Sequence, residues 1–175
     1  MLDIRIRRNI EAAAGLRPED VVELTERATR ATFYTDRLTD EQVAANERIP
    51  RLAGEVVFGA AASDAQHLAA AFAAKRLAGF MIATRHGPDD LELDWLMVDP
   101  ARHGTGLAAL LMQEGMSWLG VERPMWLTVI KHNHRAIRFY RRFGFEIDTD
   151  AELCRTVPTW IMRRSGESVR AAAAI

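Results

Sequence analysis

Two short segments of the chain hold residue types whose spacing suits chemistry. The first is Val98-Asp99-Pro100-Ala101-Arg102-His103-Gly104-Thr105-Gly106-Leu107-Ala108-Ala109. It reads as a strand that stops at Pro100, a turn with two glycines, and the start of a helix. Gly104 and Gly106 carry no side chain to block an approaching ligand. The first-turn N–H groups and the helix dipole then favour a phosphate or pyrophosphate. A plain strand-to-helix turn would ask for the same glycines on geometry alone. Gly104-x-Gly106-x-x-Ala109 also satisfies a loose dinucleotide fingerprint, which needs an acid at a strand end about 20 residues later. Position 129 is Val, and the nearest strand end, Ile130-Lys131-His132, holds no acid. No Lys-Ser/Thr follows the glycines, so a Walker loop is excluded.

The second segment is Asn133-His134-Arg135-Ala136-Ile137-Arg138-Phe139-Tyr140-Arg141-Arg142-Phe143-Gly144-Phe145. At the helical repeat, Asn133, Ala136 or Ile137, and Tyr140 share one face, with Asn133 and Tyr140 about 10 Å apart along the axis. A small Ala136 in that stripe permits close approach. An Asn cap followed by a helix with a buried aromatic is the purely structural alternative.

The elements that must position these segments follow from periodicity. Ile4-Arg5-Ile6-Arg7 alternates and predicts an opening strand. Pro18 with Glu19 and Asp20 starts a helix carrying Val21, Leu24, Ala28 and Ala31 on one stripe. Thr39 and Gln42 fit a capping box for a second helix from Asp40, interrupted around Pro50. Arg51 to Gln66 shows no clear period. His67–Ala74 and Leu77–Arg85 predict a hairpin turning near Lys75-Arg76, and Gly87-Pro88-Asp89-Asp90 leads into a strand over Leu91–Val98. A helix after Gly104 presents Leu107, Leu110, Leu111 and Trp118 and stops at Gly120. Met125–Ile130 is an almost wholly apolar strand. Asn133 caps a last helix ending near Phe143-Gly144, and Phe145–Asp148 and Thr159–Arg163 close the chain as strands. The order β-α-α-β-β-β-α-β-α-β-β gives an α/β fold with a mixed, mostly antiparallel sheet flanked by helices.

Composition bounds the function. The 175 residues, 49% apolar and 27% charged, fit one globular domain, expected over 1–165 with a flexible tail at 166–175. A net charge of −1 gives no electrostatic reason to expect a nucleic acid or an anionic membrane as partner. Cys154, the single cysteine, forms no internal disulfide, and no His/Asp/Glu spacing suggests a metal. The start MLDIRIRRNI has no apolar h-region and no run approaches 18 apolar residues, so a cytoplasmic protein is expected.

Together the two segments resemble the GNAT superfamily of acyl-CoA-dependent N-acyltransferases. Its pyrophosphate loop, Gln/Arg-x-x-Gly-x-Gly/Ala, is similar to His103-Gly104-Thr105-Gly106-Leu107-Ala108. Its later motif is matched at every fixed position by Asn133, Ala136, Tyr140, Gly144 and Phe145, a coincidence expected about once in ten thousand such chains. The likeness covers roughly residues 67–148, while residues 1–66 fit only in outline. His103 departs from the usual Gln or Arg; a mostly neutral imidazole there predicts weaker or pH-dependent cofactor binding.

The resemblance implies direct transfer of an acetyl group from acetyl-CoA to a primary amine on a small molecule or peptide. Backbone groups of Leu96, Met97 and Val98 would pair with the pantetheine, and amides of Gly104 to Ala109, Thr105 and Leu107 included, would hold the pyrophosphate. Asn133 would touch the pantetheine arm. Tyr140, with an ordinary pKa near 10, would protonate the departing thiolate. Asp94, ahead of Glu92, would take the amine's proton; two apart on a strand, both carboxylates share a face. Trp95, Trp118, Trp126 and Trp160 are expected in the core. Phe33 and Tyr34 fall where relatives build the acceptor pocket, and 35–66 is expected to line it. The sequence leaves the acceptor open and is compatible with a homodimer. A non-catalytic acyl-CoA sensor is the alternative from another class, with a nicotinamide-binding oxidoreductase third.

Overall fold

The apolar runs pair into a single seven-stranded sheet in a computed structural model that describes residues 4–33, 38–151 and 153–166. In chain order the elements are β1 (Ile4–Arg8), α1 (Asn9–Ala14), α2 (Pro18–Phe33), α3 (Asp40–Glu47), α4 (Ile49–Ala61), β2 (Gln66–Ala73), β3 (Arg76–Gly87) and β4 (Asp90–Val98). They continue through a 3₁₀ turn (Pro100–Arg102), α5 (Leu107–Leu119), β5 (Met125–Ile130), α6 (His134–Arg141), β6 (Glu146–Asp148) and β7 (Thr159–Arg164). The strands lie in the order β1-β2-β3-β4-β5-β7-β6, antiparallel throughout except where β4 meets β5.

Burial on both faces explains why β2 and β3 read as near-continuous apolar runs. Leu68, Ala70 and Phe72 of β2, with Phe80 and Ile82 of β3, pack against Ala12, Leu16, Val21, Leu24, Ala53 and Val57 from α1, the turn after it, α2 and α4. Ala69, Ala71, Met81 and Ala83 face the other way, against Leu107, Leu111, Met112 and Met116 of α5. Gly115 lets α5 sit close to the sheet, since a Cβ there would lie 2.6 Å from Leu93 Cδ2 and 2.7 Å from Met81 Sδ. Leu110, expected on the inner face of α5, is instead 46% exposed; the inward stripe runs through Leu107, Leu111, Gly115 and Leu119.

Two helices exceed the expected order. α1 is a short turn after β1, where the Asn9 side chain accepts a hydrogen bond from the Leu68 N–H at 3.0 Å. α4 fills the segment without clear period. Its buried positions, Pro50, Ala53, Gly54, Val57, Ala60 and Ala61, follow the helical repeat with residues too small to stand out. Pro50 does not end structure there. It occupies the first turn of α4, where its missing N–H would have had no partner. The Thr39–Gln42 capping box is present in both directions at the start of α3. Of the expected C-terminal tail, only Gly166 falls within the described residues.

Candidate active site

The site begins where the sheet comes apart. β4 and β5 pair in parallel only at Glu92 and Trp126. On its other side β4 stays paired with β3 through Val98, so the β5-facing edge of Leu96, Met97 and Val98 offers unpaired backbone groups. Between Ile82–Trp95 and Ala83–Leu93 the register shifts by one, leaving Asp94 as an extra residue in a β-bulge. Beyond the bulge Trp95 and Met97 pack toward α2 and α4. The splay opens a cleft of about 1350 Å³ whose walls include Asp94, Trp95, Leu96, Met97, Val98, His103, Gly104, Gly106, Ala108, Ala109, Asn133, Ala136 and Tyr140.

At one end of the cleft stands the N-terminus of α5. Gly104 and Gly106 have φ of +78° and +86°, in the left-handed region that disfavours side chains. A Cβ built on either would meet nothing within 4 Å. Gly106 is the N-cap and supplies no side-chain cap, so the N–H groups of Leu107, Ala108 and Ala109 have no intrahelical partner. The turn is braced from below: Asp99 accepts from the Ala101 N–H at 3.0 Å and pairs with Arg27 at 2.8 Å. Thr105 points its hydroxyl back to the Arg102 carbonyl at 2.7 Å, and the Leu107 side chain is fully buried. The Thr105 N–H also donates to the Arg102 carbonyl, at 3.3 Å, so of these two residues only Leu107 offers the cleft a backbone donor.

His103 does not stand alone. The Arg135 guanidinium, from the first turn of α6, donates to its ring nitrogen at 2.8 Å. Burial, and then the Arg135 charge, hold the imidazole below its ordinary pKa. The ring is therefore a neutral acceptor, and Arg135 brings the cation that His103 lacks. Its signal was in the sequence, two residues after Asn133 in the helix start, but sequence spacing alone does not reveal the contact across 32 residues.

Asn133 caps α6 by accepting from the Ala136 N–H at 3.0 Å. Seven residues on, Tyr140 packs edge-on to Phe139 and Phe145, with centroids 5.4 and 6.4 Å away. Among the described residues its hydroxyl has no hydrogen-bond partner, and desolvation pushes its pKa up to about 12.

The two carboxylates share the face toward α2 and α4, as alternation predicts, but their surroundings differ. Asp94 lines the cleft and accepts from the Thr84 hydroxyl at 3.3 Å. Glu92 is 6% exposed, lies off the cleft wall, and meets His86 Nε2 at 2.7 Å. Burial raises both carboxyl pKa values above the ordinary range. For Asp94 the Thr84 hydrogen bond opposes it; for Glu92 the His86 hydrogen bond opposes it and the Asp94 charge adds to it.

Trp95, expected in the core, is a cleft wall stacked on Phe80. Trp126 sits at the sheet margin, its Nε1 donating to Asp90 at 2.7 Å. Ala45, Asn46 and Ile49 bring the start of the 35–66 segment to the cleft. Asn46 is buried, and among the described residues neither of its polar side-chain atoms has a partner; it lies beside a second cavity of about 280 Å³. Tyr34 and the Phe33 side chain lie outside the described residues. Among the described residues no cluster of His, Cys, Asp and Glu could hold a metal, and no helix is long and apolar enough to cross a membrane.

An open strand edge running from an anion-binding helix end toward a buried carboxylate and a protonated phenol suits a slender, diphosphate-bearing carrier. That is the class of protein the fold and cleft define. The model of the acetyltransferase (GNAT) family matches residues 21–145, and the chain belongs to that family. The open glycine positions and the unpartnered helix N–H groups at the start of α5 would fit a diphosphate. Over 77 residues the chain is 40% identical to an uncharacterised N-acetyltransferase of Mycobacterium bovis, covering 42% of this chain and 48% of that protein. It is 35% identical over 83 residues to a mycothiol acetyltransferase of a Mycobacterium species, covering 44% of this chain and 28% of that one. The chain thus spans less than half the length of the curated relatives it matches. In fold it is similar to the PaiA N-acetyltransferase of Thermoplasma acidophilum in complex with coenzyme A, with TM-score 0.74, 19% identity, and 94% and 99% of the two chains covered.

Proposed function

We propose that the protein is an N-acetyltransferase that moves the acetyl group of acetyl-CoA directly onto a primary amine. The observation that carries the proposal is the meeting, in one cleft, of the bare N-terminus of α5 with Asp94 and Tyr140. Acetyl-CoA, when bound, supplies a thioester carbonyl open to attack by nitrogen. The N–H groups of Gly104 and of Gly106 to Ala109 hold its diphosphate, with Arg135 beside His103 adding charge; the Thr105 N–H is already given to the Arg102 carbonyl at 3.3 Å. The open edge of Leu96, Met97 and Val98 pairs with the pantetheine as an added strand would, and Asn133 touches the same arm. Asp94 takes a proton from the incoming ammonium, a transfer made easier by the burial that raises its pKa. Tyr140 donates a hydrogen bond to the sulfur as its bond to the acetyl carbon breaks. The acceptor enters past Ala45, Asn46 and Ile49. Cytoplasm is the setting we propose.

Thiol release from acetyl-CoA, measured across peptides with free amino termini, polyamines and aminoglycosides, tests the reading. Turnover is expected for at least one class, with an acid limb above the ordinary carboxylate range that Asp94→Asn removes. Tight acetyl-CoA binding with no turnover on any amine favours a sensor instead.

A further inference from the structure

We propose that His86 is the solvent outlet of a proton relay that drains Asp94 through Glu92. The inference rests on the acetyl-transfer reading, in which Asp94 gains one proton per turnover and must lose it before the next. Asp94 sits in the cleft wall, bulged out of β4. Glu92, one strand repeat earlier on the same face, is buried and reaches no cleft wall. A buried carboxylate costs stability unless it is paired or has a function. Its partner is His86, 2.7 Å away on β3, whose side chain is 42% exposed at the sheet margin. Thr84 stands between the inner members: it lies across the strand pair from Glu92, its hydroxyl donates to Asp94 at 3.3 Å and accepts from Gln66 Nε2 at 3.2 Å, and the Asp94 charge acts on Glu92. Cleft, buried carboxylate and exposed imidazole therefore form one line along β3 and β4.

The protons balance at each step. An N–H bond of the ammonium breaks and an O–H bond forms on Asp94. Once Asp94 is protonated the Thr84 hydroxyl turns to Glu92; Asp94 gives its proton to Thr84 Oγ as Thr84 gives its own to Glu92, and Asp94 is a carboxylate again. Glu92 gives the proton to Nε2 of neutral His86, the imidazolium releases its Nδ1 proton to bulk buffer, and proton exchange of the exposed ring with solvent restores the Nδ1–H tautomer before the next turnover. The groups facing His86 favour its acceptor role: Asp90, Glu92 and Asp94 of β4 all raise its basicity, with the Glu92 hydrogen bond the largest cause. The Trp126 ring of β5 stacks on it, 6.0 Å between centroids. Arg155, in the segment before β7, favours the ionised form of both carboxylates and so resets them.

His86→Gln keeps a donor for Glu92 but cannot carry a proton. With acetyl-CoA and the fastest amine of the panel both saturating, kcat of this variant is expected to fall about tenfold or more at low buffer. Added imidazole is expected to restore it, with KM for both substrates unchanged. Wild type is expected to ignore buffer concentration. An unchanged kcat at low buffer overturns the relay, and so does a loss that imidazole fails to rescue. Histidine NMR titration gives a readout that needs no turnover: Glu92→Gln and Asp94→Asn should each lower the His86 pKa. A His86 titration blind to both substitutions also overturns the relay, whereas absence of turnover in wild type overturns the acetyl-transfer reading instead.

Discussion

Replacing Tyr140 by Phe separates a chemical role from a packing role, and the structure sets the size of the effect. The ring contacts with Phe139 and Phe145 survive the change, and the hydroxyl that is lost has no hydrogen-bond partner among the described residues. Stability should therefore move by no more than about 0.5 kcal/mol. The pKa of about 12 means Tyr140 keeps its proton throughout the neutral range. It also makes the phenol a weak acid: an ordinary thiol ionises near 8.5, and each pH unit is worth roughly 1.36 kcal/mol. Complete transfer of the proton to a free thiolate is thus uphill by about 5 kcal/mol. The productive contribution is a hydrogen bond to the sulfur as charge develops there, worth about 1.5–3 kcal/mol for a charged acceptor, or roughly 10- to 150-fold in kcat. Steady-state kcat, the CoA dissociation constant by calorimetry and the thermal midpoint are measured on one preparation. The expected result is that kcat falls within that range while the other two hold. No alkaline limb from Tyr140 should appear in wild type below about pH 11. A Phe variant whose kcat stays within about twofold of wild type, with chemistry rate-limiting, refutes the role.

Arg135→Ala should weaken CoA by about 0.5–1.5 kcal/mol, the exposed position limiting the gain from a charged contact, and the loss should shrink at high salt in calorimetry. His103→Arg, which sequence alone would favour as tightening, should gain little, because a second guanidinium would stand against Arg135. Gly106→Asp should abolish measurable CoA binding; Gly106→Ala separates strain at φ +86° from charge, and should lower the thermal midpoint while retaining binding. Asn46→Leu removes two buried atoms without partners among the described residues and should raise the thermal midpoint, by roughly 2–4 °C for each kcal/mol recovered.

The catalytic half of the molecule was legible because its elements announce themselves locally. Gly104 and Gly106 are needed for their backbone conformation, Asn133 for its cap, and the apolar run of β5 for one face buried in the core and the other half-buried along the cleft. What the sequence concealed depends on contacts between distant segments. α4 uses Ala and Gly where the sheet leaves little room, so its helical stripe carries almost no hydrophobic contrast. The bulge at Asp94 leaves no mark in a strand of alternating type, because it exists only in the register with β3. Arg135 looks like one more surface arginine among 21 until α6 is placed beside the α5 loop. Trp95 packs on the core as expected, stacked on buried Phe80, but it also lines the cleft, and that second role depends on the same bulge.

That bulge suggests a last experiment on the base. Asp94 is raised mainly by desolvation, and Trp95, its neighbour in the cleft wall, is the largest apolar group adjoining it in the chain. Trp95→Leu keeps an apolar residue on Phe80 but admits water to the carboxylate, so the Asp94 pKa should fall toward its ordinary value. The base works only when ionised, so the acid limb of kcat/KM should move to lower pH. The plateau rate should drop as well, since a less basic carboxylate pulls less strongly on the ammonium. Stability should respond with the opposite sign to a salt-bridged acid. Folded Asp94 holds its proton to higher pH than the unfolded chain does, so wild type loses stability as pH rises between the unfolded and folded pKa values. The variant should lose less across that window, relative to its own acid-side stability. An acid limb that stays in place after Trp95→Leu, yet vanishes with Asp94→Asn, would mean that the base is Asp94 but that its tuning comes from elsewhere in the cleft.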